Sequence, residues 1–271
     1  MTIPEQGALL AIDIGNTNVT LGLWYGGAWR FDWRARTVHD KMPDEYAALV
    51  RSYLREANLS SSSIGAIVIA SVVPPLTHAF HELSRRSFGI EPLIVSTKIK
   101  LGIGIDVDSP EQVGADRIVN AVAVHHHYGV PAIVIDFGTA TTFDVVTRDG
   151  RYIGGSIAPG IGISSDALTR RAAQLFKVEF APPPSVIGRN TTHAIQSGVF
   201  LGYVCLVEGL VARIRQAMPE GDQARIIATG GLAELFKEHT PVIEEIAPNL
   251  TLDGLRIIYD LNRTAIGVRP T

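Results

Sequence analysis

The sequence predicts an α/β protein that consists of two similar domains with a cleft between them. Three observations predict it: a repeated strand motif, a hairpin-turn signal after each copy, and apolar residues at helical spacing between the strands. The segment "AIDIGNTNVTLGL" (11–23) aligns with "VIDFGTATTFDVV" (134–146), which places Asp13 on Asp136. Each copy comprises an apolar strand, Asp-x-Gly, a small polar turn and a second strand.

Each half begins with a three-stranded meander. Gly26-Gly27 follows the first copy and Asp149-Gly150 follows the second, and both dipeptides are typical of β-hairpin turns. Two further strands and two helices are expected, at 66–75, 225–231, 44–59 and 161–176. We assign residues 1–122 to an N-terminal domain and residues 123–271 to a C-terminal domain.

Composition excludes several classes of function. A chain of 271 residues with 46% hydrophobic residues and a net charge of −3 can bury a large core and has no general attraction to nucleic acid or anionic membrane. No apolar run reaches the roughly 18 residues of a membrane helix, and the N-terminus lacks the features of a signal peptide. The single cysteine, Cys205, excludes an intrachain disulfide, is expected to be a packed core thiol and fits a reducing cytoplasm.

The turn after each repeated aspartate has the chemistry of a phosphate-binding loop. Gly15 permits a tight turn and a close ligand, and the amides and hydroxyls that follow can donate to phosphate oxygens. Asp13 cannot bind phosphate itself, but it can hold Mg²⁺ directly or through water. An Asx-type turn in a hairpin is the alternative for one copy alone. Two copies at matching points favour two phosphate loops that face one cleft.

Other phosphate and metal motifs are missing. The sequence contains no Gly-Lys-Ser/Thr P-loop, no G-x-G-x-x-G after a strand and no H-E-x-x-H. His125-His126-His127 does not predict a metal site, because consecutive helical residues point about 100° apart. These imidazoles are more typical of a helix C-terminus.

A helix is predicted from Ser109 onward, with Ser109 as N-cap, Pro110 in the first helical position and Gln112 completing a capping box. Gly114 inside this helix would lower helix stability by about 1 kcal/mol relative to alanine. A glycine is expected there if a ligand must approach the backbone closely. An Asp116 near a cleft could accept a hydroxyl proton, and the adjoining arginine could clamp a carboxylate or phosphate. On spacing alone, a solvated Asp-Arg pair on a surface helix is the favoured alternative.

The stretch "IGRNTTHAIQSG" (187–198) is typical of a loop that opens a helix. Asn190, Thr191 or Thr192 could cap the helix, and a hydroxyl there could also face a ligand. The turns "SIAPG" (156–160) and "ATGG" (228–231) are weaker signals of a ligand site.

Together these segments resemble the type III pantothenate kinases of the acetate and sugar kinase/Hsp70/actin superfamily. The resemblance spans essentially the whole chain and rests on six ordered motifs: "DIGNTN" (13–18), "GADR" (114–117), "DFGTATT" (136–142), "GGSIAPGI" (154–161), "NTTHAIQSG" (190–198) and "ATGG" (228–231). It implies duplicated actin-like ATPase (ribonuclease H-like) domains. It also implies ATP-dependent phosphorylation of pantothenate to 4'-phosphopantothenate, the first step of coenzyme A biosynthesis, in a cytoplasmic homodimer.

The resemblance also implies roles for individual residues. Asp116 would be the proton acceptor, Asp13 would lie near Mg²⁺, and Asp136 would bind a monovalent cation, K⁺ or NH₄⁺. The residues implied for ATP are Asp13, Ile14, Gly15, Asn16, Thr17, Asn18, Val19, Thr20 and Thr139. Those implied for pantothenate are Val107, Gly114, Ala115, Asp116, Arg117 and Thr191, with Thr192 as the alternative to Thr191.

The chain departs from the family pattern at one place. The family usually has an aromatic residue, often tyrosine, where this sequence has Val107, and Asn-Pro where it has Ser109-Pro110. A substrate contact is therefore missing, which motivates the alternative that another small hydroxy acid is the acceptor. A non-catalytic accessory regulator is a second alternative. The complete set of Asp13, Asp116, Arg117 and Asp136 weighs against lost catalysis. The absence of a basic patch or helix-turn-helix signal weighs against direct DNA binding.

Overall fold

The computed structural model describes residues 7–171 and 178–263. The strands are β1 (Ala8–Ile14), β2 (Asn18–Tyr25), β3 (Ala28–Arg36), β4 (Ile64–Ser71), β5 (Leu93–Ile94), β6 (Gly104–Ile105), β7 (Ala132–Phe137), β8 (Ala140–Val146), β9 (Arg151–Pro159), β10 (Arg225–Thr229) and β11 (Glu245–Ile246). The α-helices are α1 (Pro43–Glu56), α2 (Pro74–Leu83), α3 (Ala115–His127), α4 (Ile161–Arg171), α5 (Thr191–Gln196), α6 (Gly202–Ala217), α7 (Ala233–Lys237) and α8 (Leu250–Asn262).

The described residues divide into two compact units. The first comprises 7–104, 108–123 and 249–263, and the second comprises 105–107 and the described residues of 124–248. The division after Ala123 adjoins the boundary placed between 122 and 123. It differs from the predicted division at the C-terminal end of the chain, because α8 packs on β1 and β4 of the first unit.

The first unit is built on a five-stranded sheet with the order β3-β2-β1-β4-β5. On one face, alternate strand residues such as Ile12 and Leu21 pack with Tyr46 of α1 and Phe80 of α2 in a continuous apolar core. Helix α8 packs on the other face, where a β-carbon placed on Gly22 would lie 2.8 Å from a methyl of Leu252. The sheet is thus covered by helices on both sides.

The second unit contains a sheet with the order β11-β10-β7-β8-β9-β6. Its core joins Ile135 and Phe143 of the sheet to Val207 of α6 and Phe236 of α7. The ring of Phe236 stacks on that of Phe137, with centroids 4.7 Å apart. This sheet places the second repeated aspartate, Asp136, next to the last residue of the otherwise apolar strand β7.

The predicted repeat is confirmed at the level of strand pairing. In both units the first strand pairs antiparallel with the second and parallel with a later strand, β4 in the first unit and β10 in the second. Asp13 lies opposite Thr20, and Asp136 lies opposite Thr142. The second hairpin is therefore one residue shorter than the first, which the ungapped sequence alignment did not reveal.

A ring in the third strand of each meander donates a hydrogen bond to a carboxylate. The indole Nε1 of Trp29 donates to Asp253 at 2.8 Å, and the hydroxyl of Tyr152 donates to Asp144 at 2.9 Å. The two rings occupy equivalent registers, since each follows a register shift near the end of the second strand. The carboxylate comes from α8 in the first unit and from the sheet itself in the second.

Cys205 corrects an expectation. Its side chain is exposed rather than packed in the core. The neighbouring Tyr203, Val204 and Val207 are buried, and the helical turn of about 100° per residue rotates Cys205 away from them. An apolar stretch in a helix does not bury every member.

One helical run, Thr191–Ala217, is long and apolar enough to cross a membrane by length and composition alone. It does not contain the unbroken apolar run of roughly 18 residues that the prediction concerned, because Glu208 and Arg213 interrupt it. The helix places Val204, Val207 and Val211 in the core of the second unit, and the core helix of a globular domain passes the same test.

Candidate active site

The first repeated turn is a tight loop between β1 and β2. Its last strand pair is Ile14 with Val19, and the backbone N–H of Gly15 donates to the carbonyl of Asn18 at 3.0 Å. A β-carbon on Gly15 would lie 3.2 Å from that carbonyl oxygen, so the turn accommodates glycine better than a residue with a side chain. Asn16, Thr17 and Asn18 are exposed.

Thr37 fixes this loop through two hydrogen bonds. Its hydroxyl donates to the carbonyl of Gly15 at 2.6 Å, and its backbone N–H donates to the carbonyl of Thr17 at 2.9 Å. Thr37 is buried just beyond β3. Sequence reasoning missed this residue, because only the pairing of β3 with β2 brings it to the loop.

Asp13 fits a role at a hard cation. The residue is half-buried at the end of β1, between buried Ile12 and Ile14, and adjoins the exposed loop. Carboxylate, amide and hydroxyl oxygens are ligands that Mg²⁺ takes in proteins together with substrate phosphates. The loop offers these oxygens beside backbone amides.

The second repeated turn is a shorter loop that carries Thr139 exposed at its tip. The N–H of Gly138 donates to the carbonyl of Ala140 at 3.1 Å, and the N–H of Gly160 donates to the carbonyl of Thr139 at 3.1 Å. A β-carbon on Gly160 would lie 2.2 Å from the Thr139 carbonyl, so only glycine fits there. The motif "SIAPG" therefore packs against this loop through its last residue, Gly160.

Asp136 lies between two hydroxyl residues on neighbouring strands. Thr229 of β10 and Thr142 of β8 are its direct register partners. Thr142 donates its hydroxyl hydrogen to Asp144 at 2.9 Å, which leaves the lone pairs of its oxygen as acceptors. A carboxylate flanked by hydroxyl oxygens offers the oxygen ligands that hard cations take.

Asp144 is fully buried and was missed by sequence reasoning. Its carboxylate accepts hydrogen bonds from Thr142 and Tyr152, which offset the cost of burying it. An aspartate in the otherwise apolar strand "TTFDVV" was the available sequence signal.

Asp116 lies in the first turn of α3, which begins later than predicted. A short 3₁₀ turn spans Pro110–Gln112, and α3 begins at Ala115. The side chain of Ser109 caps neither element. Gly114 precedes the helix, so the predicted cost of a glycine inside it does not arise. A β-carbon on Gly114 would lie 2.5 Å from Oδ1 of Asp116, so a larger residue there would force the carboxylate to shift.

The environment of Asp116 differs from the solvated one expected. Burial raises the pKa of its carboxyl above the ordinary value of 3.8, and this effect outweighs the backbone N–H and the positive charge of Arg117, which lower it. The Arg117 N–H donates to Oδ1 at 2.8 Å. A raised pKa makes the carboxylate a stronger base than a solvated aspartate.

The Asp116 turn adjoins the first loop within the first unit. The N–H of Val72 donates to the carbonyl of Ile14 at 3.0 Å, directly after Asp13. A β-carbon on Gly114 would lie 3.5 Å from Cγ1 of the same Val72. Val72 thus connects the end of β1 to the "GADR" turn.

Thr191 lines a surface cavity of about 630 Å³ in the second unit. Asn190 is the N-cap of α5, since its side chain accepts from the N–H of His193 at 2.8 Å, and this settles the three capping alternatives. Thr191 is exposed and lines the cavity, whereas Thr192 does not. Val107 is half-buried beside Gly154 in the same unit.

Among the described residues, no group of three or more histidine, cysteine, aspartate or glutamate side chains could hold a metal ion. Each candidate cation position therefore rests on one carboxylate with hydroxyl, amide or carbonyl neighbours.

Comparison with known proteins identifies close relatives. A sequence model of the family described as type III pantothenate kinase matches residues 9–213. The chain is 50% identical over 256 residues to a type III pantothenate kinase of Roseiflexus sp. (strain RS-1), covering 94% of this chain and all of that protein. It is 49% identical to one from Geotalea uraniireducens (strain Rf4), covering 94% of this chain and 99% of the relative.

Solved structures with low sequence identity share the fold. A Baf family protein from Campylobacter jejuni has a TM-score of 0.61 at 18% identity, covering 94% of this chain and 99% of that one. MreB5 of Spiroplasma citri bound to ADP has a TM-score of 0.58 at 12% identity, covering 97% and 99%. The predicted actin-like ATPase fold is confirmed by these likenesses.

Proposed function

The chain belongs to the type III pantothenate kinase family, and we propose that it transfers the γ-phosphoryl group of ATP to the hydroxyl of pantothenate in coenzyme A biosynthesis. One observation carries the proposal: the Asp-x-Gly loop and a carboxylate of raised pKa adjoin each other in one unit, through Val72. Phosphoryl transfer needs this combination, because it depends on positioning, charge neutralisation and a group that takes the hydroxyl proton.

In the proposed reaction Asp116 accepts the hydroxyl proton of pantothenate. The hydroxyl oxygen forms a bond to the γ-phosphorus as the bond from that phosphorus to the β–γ bridging oxygen breaks and ADP leaves. The loop from Asp13 to Thr20 binds the ATP phosphates, and Thr139 is a further ATP-binding residue. Gly114, Ala115 and Arg117 contact pantothenate, with Val107 and Thr191.

Two cations belong to the proposal. Asp13 would hold Mg²⁺ on the ATP phosphates, and the oxygen ligands around it support this assignment. When bound, Mg²⁺ neutralises charge on the phosphates. Asp136 would hold K⁺ or NH₄⁺, which its two hydroxyl neighbours on β8 and β10 support.

We also propose that the protein is a cytoplasmic homodimer. Along the face of Thr191–Ala217 that points away from the core, Gly198, Gly202, Cys205 and Gly209 are exposed. A β-carbon on any of the three glycines meets no atom within 4 Å. Gly202→Arg should therefore leave the protomer folded and yield monomers in sedimentation; a dimer of unchanged stability would contradict an interface on this face.

A coupled assay of ADP release tests the activity, with pantothenate, ATP, Mg²⁺ and K⁺. Turnover that depends on pantothenate is expected. The valine at position 107 favours one second candidate, another small hydroxy acid as acceptor. A panel of hydroxy acids distinguishes the two, since a clear preference for another acceptor would overturn pantothenate. ATP binding without turnover of any acceptor would indicate a non-catalytic regulator.

A further inference from the structure

A row of polar side chains crosses the first sheet at the level of the phosphate loop. Asp13 on β1 is the register partner of Thr20 on β2, and Thr20 is the partner of Arg34 on β3. Directly opposed residues in antiparallel pairs lie on the same face of a sheet. Arg34 therefore shares a face with Asp13, whereas its neighbours Trp33 and Ala35 pack toward the apolar core.

This face is open where the row lies. Helix α8 covers the face at the next position along β2, where Leu252 fills the space at Gly22, and at Trp29, which bonds to Asp253. Beyond that point Thr20 is half-buried and Arg34 is exposed. The row is thus reachable by a ligand that occupies the loop.

The backbone of Arg34 is held in the sheet, whereas its guanidinium is available to a ligand. Its backbone carbonyl accepts a hydrogen bond from the hydroxyl of Tyr53 at 3.3 Å. Its guanidinium forms no ion pair or hydrogen bond with the residues that the structure describes. Arg30 on the same strand differs, because it donates to the carbonyls of Tyr25 and Gly26.

The separation of Arg34 from Asp13 suits a contact between the guanidinium and a phosphate. Neighbouring strands lie about 4.8 Å apart, so the Cα atoms of Arg34 and Asp13 are separated by about 10 Å. A long arginine side chain can extend over the small Thr20 toward a ligand in front of Asp13. Arg36, two residues on, lies in the next row, opposite Asn18 rather than in the row of Asp13.

The loop itself supplies no positive side chain. Residues 13–20 contain one carboxylate and no lysine or arginine. A nucleoside triphosphate with bound Mg²⁺ keeps net negative charge, and kinases neutralise it with cationic side chains as well as metal. A guanidinium is suited to this because it can donate two hydrogen bonds to one phosphate.

We propose that Arg34 binds the triphosphate of ATP and is a further phosphate-binding residue of this enzyme. The proposal rests on the proposed kinase function, and it adds a cationic residue that lies outside the six sequence motifs.

Three variants test the proposal. Arg34→Gln removes the charge, Arg34→Lys keeps a charge without the planar fork, and Arg55→Gln is the matched control. Arg55 is an exposed arginine in α1, a helix that packs on the opposite face of the same sheet. The control removes the same charge from the same unit.

The measurements are the thermal shift induced by Mg²⁺ with a non-hydrolysable ATP analogue, without acceptor, and the KM values for ATP and pantothenate. Arg34→Gln should weaken analogue binding and raise the KM for ATP by about tenfold or more, the size expected for a charge-assisted contact. The KM for pantothenate and the unfolding temperature without ligand should stay near those of wild type. Arg34→Lys should recover part of the loss, and Arg55→Gln should match wild type.

Analogue binding by Arg34→Gln within about twofold of wild type would overturn the proposal. So would an equal rise of both KM values, which would indicate a general disturbance of the site. A wild-type protein that binds the analogue but prefers another acceptor would overturn the proposed substrate and leave the Arg34 result standing. A wild-type protein that does not bind the analogue would overturn both.

Discussion

The hydroxyl of Thr37 donates a hydrogen bond of 2.6 Å to the carbonyl oxygen of Gly15. It joins the residue after β3 to the turn between β1 and β2, and the backbone N–H of Thr37 adds a second bond to the same turn. The loop is therefore positioned before any ligand arrives, which lowers the entropy that binding must remove.

We predict that Thr37→Val loosens the loop. The variant keeps the shape of the side chain but leaves a carbonyl without its partner, at a cost of about 1 kcal/mol in the free energy of unfolding. The KM for ATP should rise several-fold with little change in that for pantothenate. Thr37→Ser, which keeps the hydroxyl, is the control, and a Thr37→Val enzyme with an unaltered KM for ATP would count against this role.

Asp116→Asn should abolish turnover. The amide keeps the size of the side chain but cannot accept a proton, and general-base catalysis contributes about 10²–10⁴-fold. The assay is pantothenate-dependent ADP release. Turnover within about threefold of wild type would show that another group accepts the proton.

The acid limb of the wild-type pH profile should lie above the ordinary pKa of aspartate. Burial raises the pKa of Asp116 from 3.8, so the base is protonated, and inactive, at a higher pH than a solvated aspartate would be. Log kcat/KM is expected to fall as pH drops through that raised pKa. A profile that stays flat down to the ordinary value would exclude Asp116 as the titrating base.

The Asp116→Asn substitution should also make the protein more stable at neutral pH. Because the folded-state pKa of Asp116 is raised, its contribution to stability is fully present below 3.8 and is lost as pH rises through the folded value. The uncharged amide of the Asp116→Asn variant would carry no such loss. The unfolding temperature of this variant minus that of wild type should therefore increase from acidic to neutral pH, and a difference of constant size would refute the desolvation argument.

Thr191 and Thr192 form a matched pair for the substrate contact. Thr191→Val should raise the KM for pantothenate several-fold, because Thr191 lines the cavity at α5, whereas Thr192→Val should have little effect. Asn190 caps the helix in both variants, so folding should be preserved. The reverse order of the two effects would reassign the contact to Thr192.

Potassium should stabilise the protein through Asp136. The unfolding temperature in KCl should exceed that in NaCl at equal ionic strength, and Asp136→Asn should remove the difference, since a carboxylate is the charged group of this site. Activity should also require K⁺ or NH₄⁺. Equal unfolding temperatures and equal activity in sodium and potassium would contradict a monovalent cation at Asp136.

The sequence by itself determined the features that depend on short segments. Alternating apolar residues, Asp-x-Gly and a glycine turn signal are local, so the two meanders and both loops could be predicted. The family motifs added pantothenate as the acceptor, and they predict roles for Asp116 and Asp136. The start of α3 could not be placed this way, because a 3₁₀ turn and a helix share the same opening residues.

Only the tertiary structure decided which distant residues serve those segments. Strand register brings Thr37 to the loop and Arg34 into the row of Asp13, and helix phase exposes Cys205. Burial by neighbouring elements raises the pKa of Asp116. Register, helix phase and desolvation depend on how separate elements pack, and the one-dimensional pattern around each residue does not contain that information.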